Sequence, residues 1–154
     1  RDQPVTRAPL DIDQWLDTVV GRWQAVLDER GRSITGTTGD GGSPRVSLSV
    51  LDQIADILLQ NAVQHGRGQV RIDVAEEADH VVITVTDEGT IARDPTELFT
   101  RRDPGASGHG LGLALARALA ESEGGRLVLA APTPTTFRLL LPDQSGAGAG
   151  FGPS

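Results

Sequence analysis

A chain of 154 residues is long enough for one domain with a real core and too short for two ordinary ones. Its 38% hydrophobic content with only 3% aromatics points to a core of Leu, Val, Ile and Ala, and its net charge of -7 argues against nucleic-acid backbones as partners. It has no cysteine, so disulfides, thiolate metal sites and cysteine nucleophiles are excluded, and its 3 histidines (His65, His80, His109) are too widely spaced for a histidine-rich metal site.

Residues 1–10 read as an extended entry punctuated by Pro4 and Pro9. Over 12–29, Ile12, Leu16, Val19, Val20, Trp23 and Leu27 recur at helical spacing, with Asp11 as N-cap and Gly31 just past the end. A short strand is predicted over 33–38, a turn over 39–42 and another short strand over 46–48. A second helix follows over 50–64, its apolar face made by Leu51, Ile54, Ala55, Leu58, Leu59 and Ala62, and Gly66 ends it. Two alternating strands, 69–75 and 80–86, are joined by the acidic turn 76–79. Residues 90–108 are polar and broken by proline and glycine, a loop length that usually marks function or mobility. A third helix over 111–122 stops at Gly124-Gly125, and strands over 126–130 and 136–141 close the domain. The order predicts one domain over 1–142, an α/β (α+β) two-layer sandwich with a mixed sheet and helices on one face, followed by a flexible Gly/Ala/Ser/Pro-rich tail over 143–154. No apolar run reaches the roughly 18 residues of a membrane-spanning helix. No signal peptide is visible, and Arg at position 1 suggests a processed or partial chain.

Three short motifs carry chemistry. Asn61 sits inside the apolar helix segment Leu58-Leu59-Gln60-Asn61-Ala62, where an amide is a poor helix former and costly to bury. It reads either as a satisfied or solvent-facing polar residue or as a hard oxygen ligand for Mg²⁺. His65, four residues on, shares its face and is placed to donate to a phosphate, or simply to cap the helix end. Asp87-Glu88-Gly89 follows a strand directly. It reads as an ordinary turn or as a carboxylate that accepts from the exocyclic amine of adenine, with Gly89 letting the backbone approach the base. Gly108-His109-Gly110-Leu111-Gly112-Leu113 opens a strong helix, where backbone N–H groups converge on phosphate. Its spacing is neither the Rossmann fingerprint nor a P-loop, since all 14 cationic residues of the Lys and Arg class are Arg. Phosphate contacts must therefore come from Arg, His or backbone amides.

Taken together, these segments resemble the ATPase domains of bacterial sensor histidine kinases. The stretch Leu58 to Gly66 is similar to the family's N box, Asp87-Glu88-Gly89 to its first glycine box, Leu98-Phe99 to its F box, and Gly108 to Leu113 to its second glycine box. Thr135 to Pro142 resembles its closing strand. The resemblance implies the Bergerat-type fold, a mixed, mostly antiparallel sheet with three helices on one face. It implies ATP and Mg²⁺ as cofactors, with Asn61 on the metal and Asp87 on the adenine amine. Gly89 and Ile91 would lie along the base side, and Gly108, Gly110, Leu111 and Gly112 would present amides to the phosphates. His65, Arg101, Arg102 and Thr136 complete the implied nucleotide contacts. The reaction implied is γ-phosphoryl transfer to a histidine on a dimerisation domain, which in turn serves a response regulator. The resemblance further implies a cytoplasmic location beneath a parent anchored in the bacterial inner membrane, and a monomer when isolated.

Four departures from the family pattern stand out. Ile57 occupies the place, four residues before Asn61, of an Asn or, in hydrolytic branches, a Glu; Asp56 is next to it but about 100° round the helix. Thr90-Ile91 replaces a second glycine after Gly89. The loop is short, and Arg101 and Arg102, just after Phe99, are candidates to meet the phosphate charge in the absence of Lys. No helix here bears a phosphoacceptor His followed by Glu and Pro, so that group is expected elsewhere. A stand-alone serine kinase of the anti-sigma-factor type needs a carboxylate near Asn61, which Ile57 does not supply. An interaction module that keeps the fold without catalysis is the third reading.

Overall fold

The structure, a computed structural model, describes residues 10–39, 42–100 and 110–143. Helix α1 (Ile12–Asp28) starts where Asp11 Oδ1 accepts from the Gln14 amide at 3.2 Å, as its capping chemistry predicts. It buries Ile12, Trp15, Leu16, Val19, Trp23 and Leu27. Gly31, at φ 70, turns the chain into strand β1 (Ile34–Thr38). Gly36 of that strand admits α1, because a Cβ there would meet Val20 and Leu16 side-chain atoms at 2.9–3.1 Å.

The predicted strand over 46–48 does not form. Pro44 makes only an isolated bridge to Asp143, and helix α2 (Leu48–His65) starts earlier than its apolar pattern suggests, behind Ser47. Val46 is buried as a core residue without sheet partners. Val46-Ser47-Leu48, with a single β-branched residue, is too short to specify a strand when a helix start competes for it. Strands β2 (Val70–Glu77) and β3 (His80–Thr86) form the hairpin. The strand pairing continues to Glu77↔His80, so the turn shrinks from four residues to Ala78-Asp79, with Ala78 at φ 55. Inside the predicted loop a short helix, α3 (Pro95–Leu98), is capped by the Asp94 carboxylate and anchored by fully buried Leu98. Helix α4 (Gly110–Ser122) ends at Gly124, φ 83, and Gly125, where a Cβ would fall 2.3 Å from the Leu140 carbonyl. Strands β4 (Arg126–Pro132) and β5 (Thr135–Pro142) complete the sheet.

The sheet order is β1-β2-β3-β5-β4, with β1 and β2 parallel and every other pair antiparallel. A parallel neighbour needs a crossover, and α2 provides it. Alternate residues face the helices: Val70, Ile72 and Val74 on β2, Val81, Ile83 and Val85 on β3, Phe137, Leu139 and Leu141 on β5. The opposite face carries polar pairs such as Arg138–Glu77 at 2.7 Å. This is the mixed two-layer sandwich expected, with α1, α2 and α4 contributing to a single core. Asp143, expected to open the tail, is instead buried, and its amide donates to the Asp79 carbonyl at 2.9 Å. The rest of the expected tail, 144–154, lies outside the described residues. No described helix is long and apolar enough to cross a membrane.

Leu139 lies at the centre of this core, 1% exposed, paired with Ile83 on one side and Leu127 on the other. Leu139→Ala is expected to lower unfolding free energy by about 2–5 kcal/mol. Urea titration measures this; a loss under ~1 kcal/mol would contradict the single-core description.

Candidate nucleotide-binding site

The C-terminal half of α2 forms the wall of the site. Asn61, expected on the apolar helix, is 9% exposed. It lines two adjoining hollows, as does exposed His65 one turn further on. One is a small pocket of about 80 Å³ that also contains Gly66, Asp87, Ile91, Arg93 and Thr135. The other is a larger cleft of about 490 Å³, walled by Trp23 and Arg22 of α1, Ile57 and Gln60 of α2, and Gly112 and Leu113 of α4. Helical spacing explains the shared wall: positions 57, 61, 64 and 65 recur on one face.

Asp87 is 3% exposed at the end of β3. Its Oδ1 accepts from the Gly89 amide at 2.6 Å and from the Arg67 amide at 3.3 Å. Burial pushes its pKa above the ordinary carboxylate value; the two amides and the nearby Arg32 charge oppose that shift, and Glu88 adds to it. The segment is locked on its other side, where the Asp87 amide donates to Thr135 O and the Thr135 amide to Gly89 O, both at 3.0 Å. The need for glycine at 89 is now specific. A Cβ there would lie 2.8 Å from Asp87 Oδ1 and 3.3 Å from Gly66 Cα. Gly89 thus serves the carboxylate's own turn rather than the small pocket, which it does not line; it faces a neighbouring polar hollow with His65, Arg67, Glu88 and Thr90.

Helix α4 begins beside the cleft. The first N–H groups of a helix lack partners within it, and the helix dipole favours anions there. Gly112 stands on the cleft wall against Ile57, whose Cγ2 would be 3.5 Å from an added Cβ. Gly110 and Leu111 fall in that first turn. Arg101, Arg102 and Gly108 lie outside the described residues.

Two sequence expectations change. Thr136 was expected at the nucleotide, but its hydroxyl donates to the Pro134 carbonyl at 2.8 Å and its side chain is on the other face of β5. Thr135 lines the pocket instead, because strand periodicity sends neighbours to opposite faces. Asp56, expected on a different face of α2 from Ile57, lines the cleft too, as the cleft is wide enough to span both. Its carboxylate accepts from Arg22 Nη2 at 3.0 Å, with both side chains about half exposed. Sequence reasoning missed Thr135, Arg93, Arg22 and Trp23. None carries a local signal: Arg22 and its partner Asp56 are 34 positions apart, and Thr135 and Arg93 reach the small pocket only through the fold. Ile91 does reach the small pocket, and its amide donates to Pro132 O at 2.9 Å. Among the described residues no cluster of three or more His, Cys, Asp or Glu is placed to hold a metal. Mg²⁺ carried by nucleotide phosphates needs no such cluster, only one or two protein oxygens, and Asn61 offers one.

A model of the histidine kinase-, DNA gyrase B- and HSP90-like ATPases matches residues 47–145. The chain belongs to that family. The sensor histidine kinase VxrA of Vibrio cholerae serotype O1 is 28% identical over 134 residues, 87% of this chain and 26% of that protein. The chain therefore spans about a quarter of that curated relative. Solved structures share the fold: the catalytic domain of histidine kinase ThkA (TM-score 0.79, 17% identity, 90% of this chain and 97% of that one) and histidine kinase AdeS of Acinetobacter baumannii (0.76, 16%, 92% and 70%). Full-length ShkA in complex with AMPPNP has a TM-score of 0.79 at 24% identity, covering 92% of this chain and 32% of that one.

Proposed function

We propose that this chain is the ATP-binding catalytic domain of a sensor histidine kinase. The reading rests on one observation: a continuous path from a buried carboxylate, past an amide and an imidazole, to a helix N-terminus. Asp87 at one end offers an acceptor to the adenine amine. Asn61 and His65 line both hollows, where the triphosphate and its Mg²⁺ would pass from one to the other. The first turn of α4 meets the cleft and offers N–H groups to the phosphates.

In the reaction, a histidine nitrogen forms a bond to the γ-phosphorus as the bond to the β,γ-bridging oxygen breaks, and ADP leaves. Such transfer needs positioning and neutralisation of charge more than covalent help from the protein. Asn61 would contribute an oxygen to Mg²⁺, and His65 would donate to a phosphate oxygen. None of His65, His80 and His109 is followed by a Glu, so the acceptor would come from a separate dimerisation domain, which would pass the phosphoryl group on to a response regulator. Ile57 on the cleft wall removes the water-activating carboxylate of hydrolytic relatives, which favours transfer over hydrolysis. The parent would be anchored in the bacterial inner membrane, with this domain in the cytoplasm.

Calorimetric titration of the chain with ATP, with and without Mg²⁺, tests the reading. Saturable binding that Mg²⁺ strengthens is expected. No detectable ATP binding would sink the kinase assignment and leave an interaction module with the same fold.

A further inference from the structure

Arg32 lies in the short connection between α1 and β1, yet its side chain works at the far end of α2. Its Nη2 donates to the Ala62 carbonyl at 3.0 Å, Nη1 to the Val63 carbonyl at 3.1 Å, and Nε to the Gly68 carbonyl at 2.9 Å. The first two are last-turn carbonyls of α2: the Ala62 carbonyl also accepts from the Gly66 amide at 3.0 Å, the Val63 carbonyl is of the kind a helix leaves without a partner of its own, and a cation there meets the negative end of the helix dipole. The third belongs to the loop beyond the helix. One planar guanidinium therefore ties the helix that carries Asn61 and His65 to the loop that follows it.

That loop is what orients Asp87. The Arg67 amide donates to Asp87 Oδ1 at 3.3 Å, and the Glu88 amide donates to Arg67 O at 2.9 Å. The Gln69 amide donates to Glu88 Oε2 at 2.9 Å. Gly66 is pressed so closely on the carboxylate that a Cβ would fall 2.4 Å from Oδ2. The loop is thus held between Arg32 on one side and the segment 87–89 on the other. If it shifts, the Arg67 amide and the Gly66 backbone that set the carboxylate's direction shift with it.

We propose that Arg32 is a positioning residue of the nucleotide site, holding the 66–69 loop so that Asp87 points at the base. This rests on the reading of Asp87 as the adenine-recognising group. Arg32 lines neither hollow. Its charge also favours the ionised, accepting form of Asp87 against the cost of burial. A Lys at 32 would keep the charge but not the fork, because an ammonium on a flexible stem does not fix three carbonyls in one plane.

The test compares ATP and GTP dissociation constants for the 154-residue chain and its Arg32→Gln and Arg32→Lys variants, each well below its own unfolding midpoint. Arg32→Gln should raise the ATP constant about tenfold and cut the preference for ATP over GTP by a similar factor. Arg32→Lys should recover only part of that preference. A merely structural residue would lower the unfolding midpoint while leaving the ATP:GTP ratio of folded molecules unchanged, and that result overturns the proposal. So does full recovery in Arg32→Lys. Should Arg32→Gln not fold, the Lys variant carries the test alone: a wild-type ratio overturns the proposal and a reduced one supports it. If the unaltered chain binds ATP without preferring it to GTP, the Asp87 reading has failed and this inference falls with it, before any variant is made.

Discussion

Asp87→Asn is expected to raise the dissociation constant for ATP by roughly 10- to 100-fold and to abolish the preference for adenine over guanine nucleotides. The carboxylate is a pure acceptor, and the exocyclic amine of adenine is a donor. Asn can turn an NH₂ group toward the base, which clashes with the adenine amine and suits guanine O6. The estimate follows from hydrogen bonds to charged groups contributing about 1.5–3 kcal/mol, with ~1.4 kcal/mol for each factor of ten. Competition between ATP and GTP measures it, and surviving adenine preference would show that another group reads the base.

The same substitution has an opposite consequence for stability. Burial raises the folded-state pKa of Asp87 above its unfolded value of 3.8, so the folded chain holds that proton more tightly. The stabilisation from protonating Asp87 is therefore complete below the unfolded pKa and lost as pH rises through the folded pKa. At neutral pH the charged, buried carboxylate costs stability. An Asn Oδ1 keeps the acceptor role toward the Gly89 and Arg67 amides without that charge. The unliganded variant should melt no lower than the parent at neutral pH, and the difference should shrink as pH falls toward 3.8. Thermal scans at several pH values check this. A lower midpoint at neutral pH would attribute lost ATP binding to damage rather than to a missing contact.

Asn61→Ala should produce the second large effect. The expected signature is a loss on the order of tenfold or more in affinity for Mg-ATP, with little change for ATP in chelator. Asn61 is buried on the α2 wall where the two hollows meet, so a nucleotide spanning both would present its middle, rather than either end, to this residue. A neutral amide oxygen is a hard donor suited to Mg²⁺, which keeps most of its shell from phosphates and water. Equal losses with and without metal would assign Asn61 to packing or to direct nucleotide contact.

Several elements are legible in the sequence alone. Asp11 caps α1 as its side-chain chemistry demands, and β3 spans 80–86 as its alternation predicts. The motif residues Asn61, Asp87 and Gly112 do come to one region. The misses share a physical origin. The strand expected over 46–48 had no way to reveal that the start of α2 would claim those residues. Helix α3 is a single turn held by Asp94 and by burial of Leu98, and neither signal has a period to detect. Thr135 rather than Thr136 lines the small pocket, a choice of face that the strand's boundary decides and local sequence does not.

What the sequence determined by itself is the longer helices and strands and the chemical type of each motif residue. Helical and strand periods come from nearest neighbours, and an amide, a carboxylate and a glycine-rich helix start keep their capacities wherever they sit. Only the tertiary structure decided which neighbours complete them. It chose Thr135 over Thr136, brought Arg22 and Trp23 of α1 to the cleft, and carried Arg32 across to the end of α2, 30 positions away along the chain. Those choices depend on how α1 and α2 pack over the sheet, and packing depends on side-chain volumes summed over the whole core. The nucleotide site is therefore written locally in its chemistry and globally in its geometry.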